Sequence, residues 1–190
     1  SLQKPVSKSL YPVWDLPQVL RALTLPSFEP LSSVDIKFLS LKVIFLVAVT
    51  SAKQTGELGA LMSREPLIQF FEDEVVLQLD HSFLPKVASS LNRAQEVILP
   101  RLLNSDSDCQ WHLLDVWRCL QLYLEHSSSF RKTESLFVTF GSASKGEKAS
   151  LPTLSRWIKQ TISLAYSLSG SSLPEGVEGR STKGVSASWA

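Results

Sequence analysis

The residues that most often hold metal ions are few in this chain, and their spacing fits no common ligand pattern. His81, His112 and His126 form no His-x₃-His pair. Cys109 lies three residues before His112, but Cys119 and the other histidines supply no matching second pair. Because structural zinc sites use two such closely spaced pairs, the sequence predicts no metal site.

Two short motifs for other chemistries are incomplete. The loop from Gly141 to Gly146, which contains Lys145, loosely resembles a nucleotide-binding loop but lacks the Gly-x₄-Gly-Lys-Ser/Thr pattern. A Gly-x-Ser-x-Gly motif, which would expose a nucleophilic serine, is absent from the sequence. We interpret the loop as a flexible lysine-bearing segment that can touch a backbone phosphate, and we expect no cofactor.

A more informative pattern consists of two stretches that lie about 120 residues apart. The first follows a strongly apolar segment and contains Lys53, Gln54 and Glu57, the last of these in a Glu-Leu-x-x-Leu turn. The second begins at Gly179 and contains Arg180 three residues before Lys183. The two stretches bracket the segments that are predicted below to form a small sheet.

This arrangement resembles the catalytic domain of tyrosine recombinases, most closely those of DIRS-type retrotransposons. In that family a buried helix ends in a Thr-Gly/Ser-x-Arg-x-x-Glu-Leu-x-x-Leu turn, a three-stranded sheet carries a lysine, and a later helix begins His-x-x-Arg. A tyrosine attacks a DNA phosphodiester, and two arginines hold the non-bridging oxygens by bidentate hydrogen bonds. The resemblance covers about residues 11–190 and implies DNA recombination and integration of a mobile element.

Residue by residue, the resemblance implies a degraded catalytic site. The first arginine falls on Gln54, which is neutral, and the sheet lysine is assigned to Lys86. The histidine falls on Arg180, which cannot exchange protons near neutral pH, and the second arginine falls on Lys183, which lacks a planar fork. The nucleophilic tyrosine has no counterpart. Since losing one charge-stabilising donor typically costs about 10²–10³ in rate, we expect a catalytically inactive domain.

The resemblance also implies contacts to double-stranded DNA from the basic residues Lys53, Lys145, Lys148, Arg156 and Lys159. Residues 131–190 contain 8 basic and 4 acidic residues, whereas residues 1–130 contain 11 basic and 14 acidic ones. A polyanion should therefore favour the last third of the chain. Because the net charge is only +1, we expect weak, salt-dependent binding. A nuclear or intracellular location follows from the resemblance alone.

Two alternatives use the same scaffold. One is a protein–protein interaction module that has lost its chemistry and exposes apolar surface near Trp189, with self-association as one form of it. The other is a non-functional relic of a mobile element, since the residues at Gln54 and Lys183 fit decay as well as domestication. The dependence of binding on salt concentration distinguishes DNA binding from apolar association. Phosphate contacts weaken steeply as salt rises, whereas apolar contacts do not.

Length and composition bound these interpretations. The chain has 190 residues, of which 44% are hydrophobic, so it can bury a core and is not a disordered chain. Two cysteines cannot form a disulfide framework. The most apolar run, Val43–Val49, has seven residues, whereas a membrane span needs about 20. We therefore expect no membrane association.

Helix signals occur at both ends of the sequence. Asp15 followed by Pro17 predicts one helix start, and Ser150 followed by Pro152 predicts another. Between them, we predict a short helix that ends near Leu39 and a separate buried helix capped by Ser40.

Period-two patterns predict three strands at residues 67–71, 75–79 and 96–100. The order of helices, strands and helices predicts an α+β fold, predominantly helical with a small three-stranded antiparallel sheet. The resemblance makes it tyrosine recombinase catalytic-domain-like. We expect residues 1–13 to be an extended arm and residues 14–190 to be the recombinase-like domain, truncated before the nucleophile helix.

Overall fold

The computed structural model describes residues 14–83, 96–102 and 109–179, together with Thr182. The described chain forms helices, then a three-stranded antiparallel sheet, then helices, which confirms the predicted α+β fold. The elements are α1 (Leu16–Ala22), α2 (Ile36–Ser51), α3 (Thr55–Leu58), β1 (Ile68–Phe70), β2 (Glu74–Leu77), β3 (Val97–Pro100), α4 (Cys109–His112), α5 (Val116–Ser127) and α6 (Leu151–Leu168). The arm expected at residues 1–13 lies outside the described residues. Within the described ranges, no helix has both the length and the hydropathy that crossing a bilayer requires.

Helix α2 lies at the centre of the fold, and every residue from Leu39 to Ala48 is buried. The prediction of two helices separated at Ser40 was wrong, because the helix is continuous from Ile36. The Ser40 hydroxyl donates to the Ile36 carbonyl oxygen at 2.6 Å, a bond that a serine can form inside a helix. The N-cap is Asp35, whose carboxylate accepts from the Lys37 N–H at 2.8 Å.

Helices α5 and α6 both pack against α2. The Thr161 hydroxyl in the second half of α6 donates to the Leu41 carbonyl near the start of α2, at 3.1 Å. The beginning of α6 instead contacts Gly59, which follows α2 and α3. Helix α6 therefore runs antiparallel to α2, and its N-terminus lies at the same end of the molecule as the C-terminus of α2.

The sheet has the order β1-β2-β3, and both strand pairs are antiparallel. Its inner residues, such as Val75, Leu77 and Leu99, are buried, and β3 contacts both α2 and α5. The Trp117 indole N–H on α5 donates to the Phe71 carbonyl at 2.8 Å, which fastens the hairpin to the helices. The three predicted strands are confirmed; each is shorter than predicted, and β2 begins one residue earlier, at Glu74.

A buried ionic cluster holds α2, α5 and the loop after α1 together. The Lys42 side chain is fully buried, and its Nζ donates to the Leu23 carbonyl and to Glu29 Oε1, both at 2.7 Å. Arg118 donates to the two Glu29 carboxylate oxygens at 3.2 Å each. This cluster was not predicted from the sequence. One sign of it was present in the sequence, because Lys42 lies within an otherwise apolar helix. A buried ammonium group needs a charged partner.

Candidate nucleic-acid interface

The turn that the resemblance assigns to the first catalytic arginine is the start of α3. Ala52 has a left-handed conformation (φ 55°) where α2 ends, and Gln54 is the exposed N-cap of α3. The Gln54 backbone N–H donates to Glu57 Oε2 at 3.0 Å, as part of a capping box between the two residues. Gln54 thus begins a surface helix and brings no charge to this turn.

Lys53 is paired with an acidic neighbour on the same turn. Its Nζ lies 3.1 Å from Glu57 Oε1, and the two side chains are 15% and 24% exposed. A phosphate that approached Lys53 would therefore have to compete with the Glu57 carboxylate. This pairing makes Lys53 a weaker candidate for DNA contact than an unpaired lysine would be.

Helix α3 lies directly against the first turns of α6 at Gly59. A Cβ atom placed on Gly59 would lie 2.5 Å from Leu151 Cδ2 and 3.6 Å from Leu154 Cδ1. The missing side chain therefore allows the two elements to approach closely. The contact fixes the Gln54 turn beside the N-terminus of α6.

The segment that leads to Arg180 also returns to α6. A Cβ atom on Gly179 would lie 2.6 Å from the Cα of Ser155, so the two backbones are in close contact. The two stretches singled out in the sequence thus meet the same helix within its first two turns. Arg180 and Lys183 themselves, like Lys86, lie outside the described residues.

A cleft of about 530 Å³ opens between α3, the turn that follows β2, and the start of α6. Lys148 is its basic side chain and Asp80 its acidic one. The Asp80 carboxylate accepts from the Ser82 N–H and from the Ser82 hydroxyl, each at 3.0 Å. These two bonds hold the pKa of Asp80 below its ordinary value, with smaller contributions from the charges of Arg64 and Lys148. Asp80 therefore stays ionised at neutral pH.

Four of the predicted DNA contacts are exposed on or just before α6: Lys145, Lys148, Arg156 and Lys159. In the part of the chain that the structure describes, none of the four forms an ion pair. Arg156 and Lys159 are three residues apart and so share a helix face. The sequence of α6 contains no acidic residue, and the helix dipole adds positive potential at its N-terminus. The exposed side chains of Arg156 and Lys159 therefore make this helix face positively charged.

Three described residues whose side chains could act as nucleophiles, Tyr123, Tyr166 and Cys119, are buried. The Tyr123 hydroxyl is buried and accepts from the Val138 N–H at 3.0 Å, and burial raises its pKa. The Tyr166 hydroxyl accepts from the Asp15 N–H at 2.9 Å. Burial raises the pKa of Cys119 to about 12. Among the described residues, no cluster of His, Cys, Asp and Glu side chains could hold a metal ion.

Comparison with known proteins adds no family to these observations. No family model matches the chain, and no curated protein is significantly similar to it.

Proposed function

We propose that the chain is a DNA-binding domain on a tyrosine recombinase-like scaffold, derived from a mobile element and catalytically inactive. The observation that carries this proposal is the meeting of the α3 turn and the Gly179 segment on the first half of α6. These are the two stretches on which the resemblance to recombinases depends. Exposed basic side chains lie on the first half of α6 and in the segment just before it.

Binding follows from the charges at this end of the molecule, which we call the α6 end: the α3 turn, Lys145, Lys148, and the first half of α6. Lysine and arginine side chains on flexible stems contact phosphates and fix the position of the duplex without reading its bases. We expect affinity with little sequence selectivity. The overall charge of +1 makes the affinity modest and steeply dependent on salt.

Inactivity follows from the groups at the same turn. Gln54 is a neutral N-cap, and Lys53 is paired with Glu57. Neither can supply the planar bidentate fork that stabilises a phosphoryl transition state. We expect that supercoiled plasmid incubated with the protein remains supercoiled. Nicked or relaxed product, absent from a buffer control, would contradict the inactive part of the proposal.

The binding part is tested by fluorescence anisotropy with a labelled DNA duplex over a salt series. The comparison is between the parent chain and the triple variant Lys148→Gln, Arg156→Gln, Lys159→Gln. All three side chains are exposed, so the variant should fold normally. We expect weaker binding and a salt slope that is shallower by about 0.9 for each phosphate that the variant no longer neutralises.

Lys37→Gln is the matched control. Lys37 lies in the first turn of α2, at the opposite end of the molecule from the start of α6, because the two helices are antiparallel. We expect this variant to bind DNA as the parent does. Absence of parental binding at low salt, or an equal loss in Lys37→Gln and in the triple variant, would overturn the proposal.

A further inference from the structure

The outer face of the three-stranded sheet is a second surface with different chemistry. Successive residues of a strand point to opposite faces, and the register pairs Gln69 with Val76 and Val76 with Ile98 in one outward row. Phe71 and Glu74 form the neighbouring outward row. They are opposite each other, since the Phe71 N–H donates to the Glu74 carbonyl at 2.8 Å. We call the following residues the outer sheet face: Gln69, Phe71, Glu74, Val76, Glu96 and Ile98.

Large apolar side chains are exposed on the outer sheet face. Ile98 is 55% exposed and is paired with Val76 on the adjacent strand, whereas Phe71 is 47% exposed, is opposite Glu74 and lies diagonally across from Val76. Val76 itself is only 9% exposed. Single exposed apolar residues are common. Phe71 and Ile98 lie on either side of β2, and a diagonal neighbour on a sheet face is within reach of an aromatic side chain, so the two can form one patch through Val76. Such patches mark interaction surfaces.

Carboxylates surround this apolar patch. Glu74 and Glu96 lie on the outer sheet face, and Glu72 and Asp73 lie in the hairpin turn between β1 and β2. The Glu96 carboxylate accepts from the Gln78 amide at 2.9 Å. Across the described ranges, none of the four carboxylates forms an ion pair. Their charges are therefore available to a partner.

Arg101 lies beside this turn, and its guanidinium already has partners. The Arg101 guanidinium lies 3.9 Å from the centroid of the Trp117 ring and donates to the Glu72 carbonyl at 3.0 Å. It is held at the margin of the sheet by these contacts. One guanidinium also cannot neutralise four carboxylates.

We propose that the outer sheet face binds a basic, apolar segment of a partner protein. Lysine or arginine side chains of the segment would pair with the carboxylates, and an apolar side chain between them would cover Phe71 and Ile98. The same carboxylates repel DNA. The inference does not depend on DNA binding at the α6 end.

The test uses the 190-residue chain and a labelled synthetic peptide of alternating lysine and leucine. Matched peptides replace leucine by serine or lysine by glutamate. We expect the lysine–leucine peptide to bind, the lysine–serine peptide to bind more weakly, and the glutamate–leucine peptide not to bind. Ile98→Thr, which keeps a β-branched residue in the strand, should raise the dissociation constant by about tenfold. Glu74→Gln with Glu96→Gln should also weaken binding and reduce its dependence on salt.

Leu168→Thr is the control, because Leu168 is 46% exposed on α6, away from the sheet. It should bind the peptide as the parent does, and thermal unfolding of each variant should show an intact fold. The proposal is overturned if the lysine–leucine peptide does not bind, if Ile98→Thr binds it normally, or if the lysine–serine peptide binds equally well. It is also overturned if sedimentation shows a dimer of this chain that Ile98→Thr dissociates.

Discussion

Glu29 shows how strongly a single carboxylate can depend on its neighbours. Burial alone would raise its pKa, but hydrogen bonds and positive charges from Arg118 and Lys42 outweigh burial and hold the pKa below its ordinary value. The sequence could indicate that Lys42 was unusual, because it interrupts an apolar run. It could not indicate the partners, because Glu29 and Arg118 lie in other elements and follow no spacing rule relative to α2.

Removal of the Lys42 ammonium should be costly. Lys42→Ala leaves the largely buried Glu29 carboxylate with Arg118 as its remaining ionic partner, and deletes a fully buried stem. We expect the free energy of unfolding to fall by about 3 kcal/mol, as for other broken buried pairs. Lys37→Ala, on the same helix but partly exposed, should change it by less than about 0.5 kcal/mol. Urea unfolding measures both, and equal midpoints would contradict the role assigned to Lys42.

The same cluster should make stability depend on acid. Because the folded pKa of Glu29 is depressed below the ordinary value of 4.5, its contribution is present above that pH. The contribution is lost as the pH falls through the folded value. We expect Glu29→Gln to be less stable than the parent at neutral pH and the difference to shrink in acid. Unfolding curves recorded at several pH values provide the test, and a constant difference would contradict this role of Glu29.

In the loop between α5 and α6, Gly146 packs closely against the backbone at Phe130. Gly146 has a φ of 88°, and its carbonyl accepts from the Lys132 N–H at 2.8 Å. A Cβ atom there would overlap the Phe130 carbonyl. This close approach holds the loop that carries Lys145, whose Nζ lies 4.7 Å from the centroid of the Phe130 ring.

Two alanine substitutions separate steric overlap from backbone strain. Gly170 also has a positive φ, of 69°, but faces open space. We expect Gly170→Ala to cost about 1 kcal/mol, the usual penalty for a left-handed alanine. Gly146→Ala should cost clearly more, because the Phe130 carbonyl must move as well. Thermal unfolding compares the two, and equal losses of stability would show that the overlap is relieved without cost.

Local signals explain which elements were predictable. The two predicted helix starts, Asp15 and Ser150, both occupy N-cap positions, and alternation of apolar residues located the three strands. The predicted helix start at Ser40 was wrong. Serine is common at helix starts, but inside a helix its hydroxyl can also donate to a carbonyl of the preceding turn. The close approaches at Gly59 and Gly179 were not predictable, since they depend on the packing of α6 against segments far away in the chain.

Within the described residues, exposed basic side chains are grouped on and before α6, and carboxylates are grouped at the β1–β2 hairpin and on the outer sheet face. Counting residues along the sequence predicted that the last third is basic, and the structure places four of its exposed basic side chains on or just before α6. Counting could not predict that the hairpin carboxylates form the rim of an apolar sheet face, because that depends on strand register. The two proposed binding surfaces therefore carry opposite charges.

We propose that the α3 turn and the Gly179 segment, which both contact the first half of α6, form one phosphate-binding end. The most direct test of this claim compares the parent with a Gln54→Arg, Arg180→His, Lys183→Arg variant in binding a labelled duplex at low and moderate salt. With a neutral histidine, the variant keeps the formal charge of the parent, so tighter binding would report restored geometry of the phosphate contacts. We predict that the parent binds at low salt and that the variant binds more tightly at both salt concentrations. If neither protein binds at low salt, or the variant gains nothing, the claim is wrong.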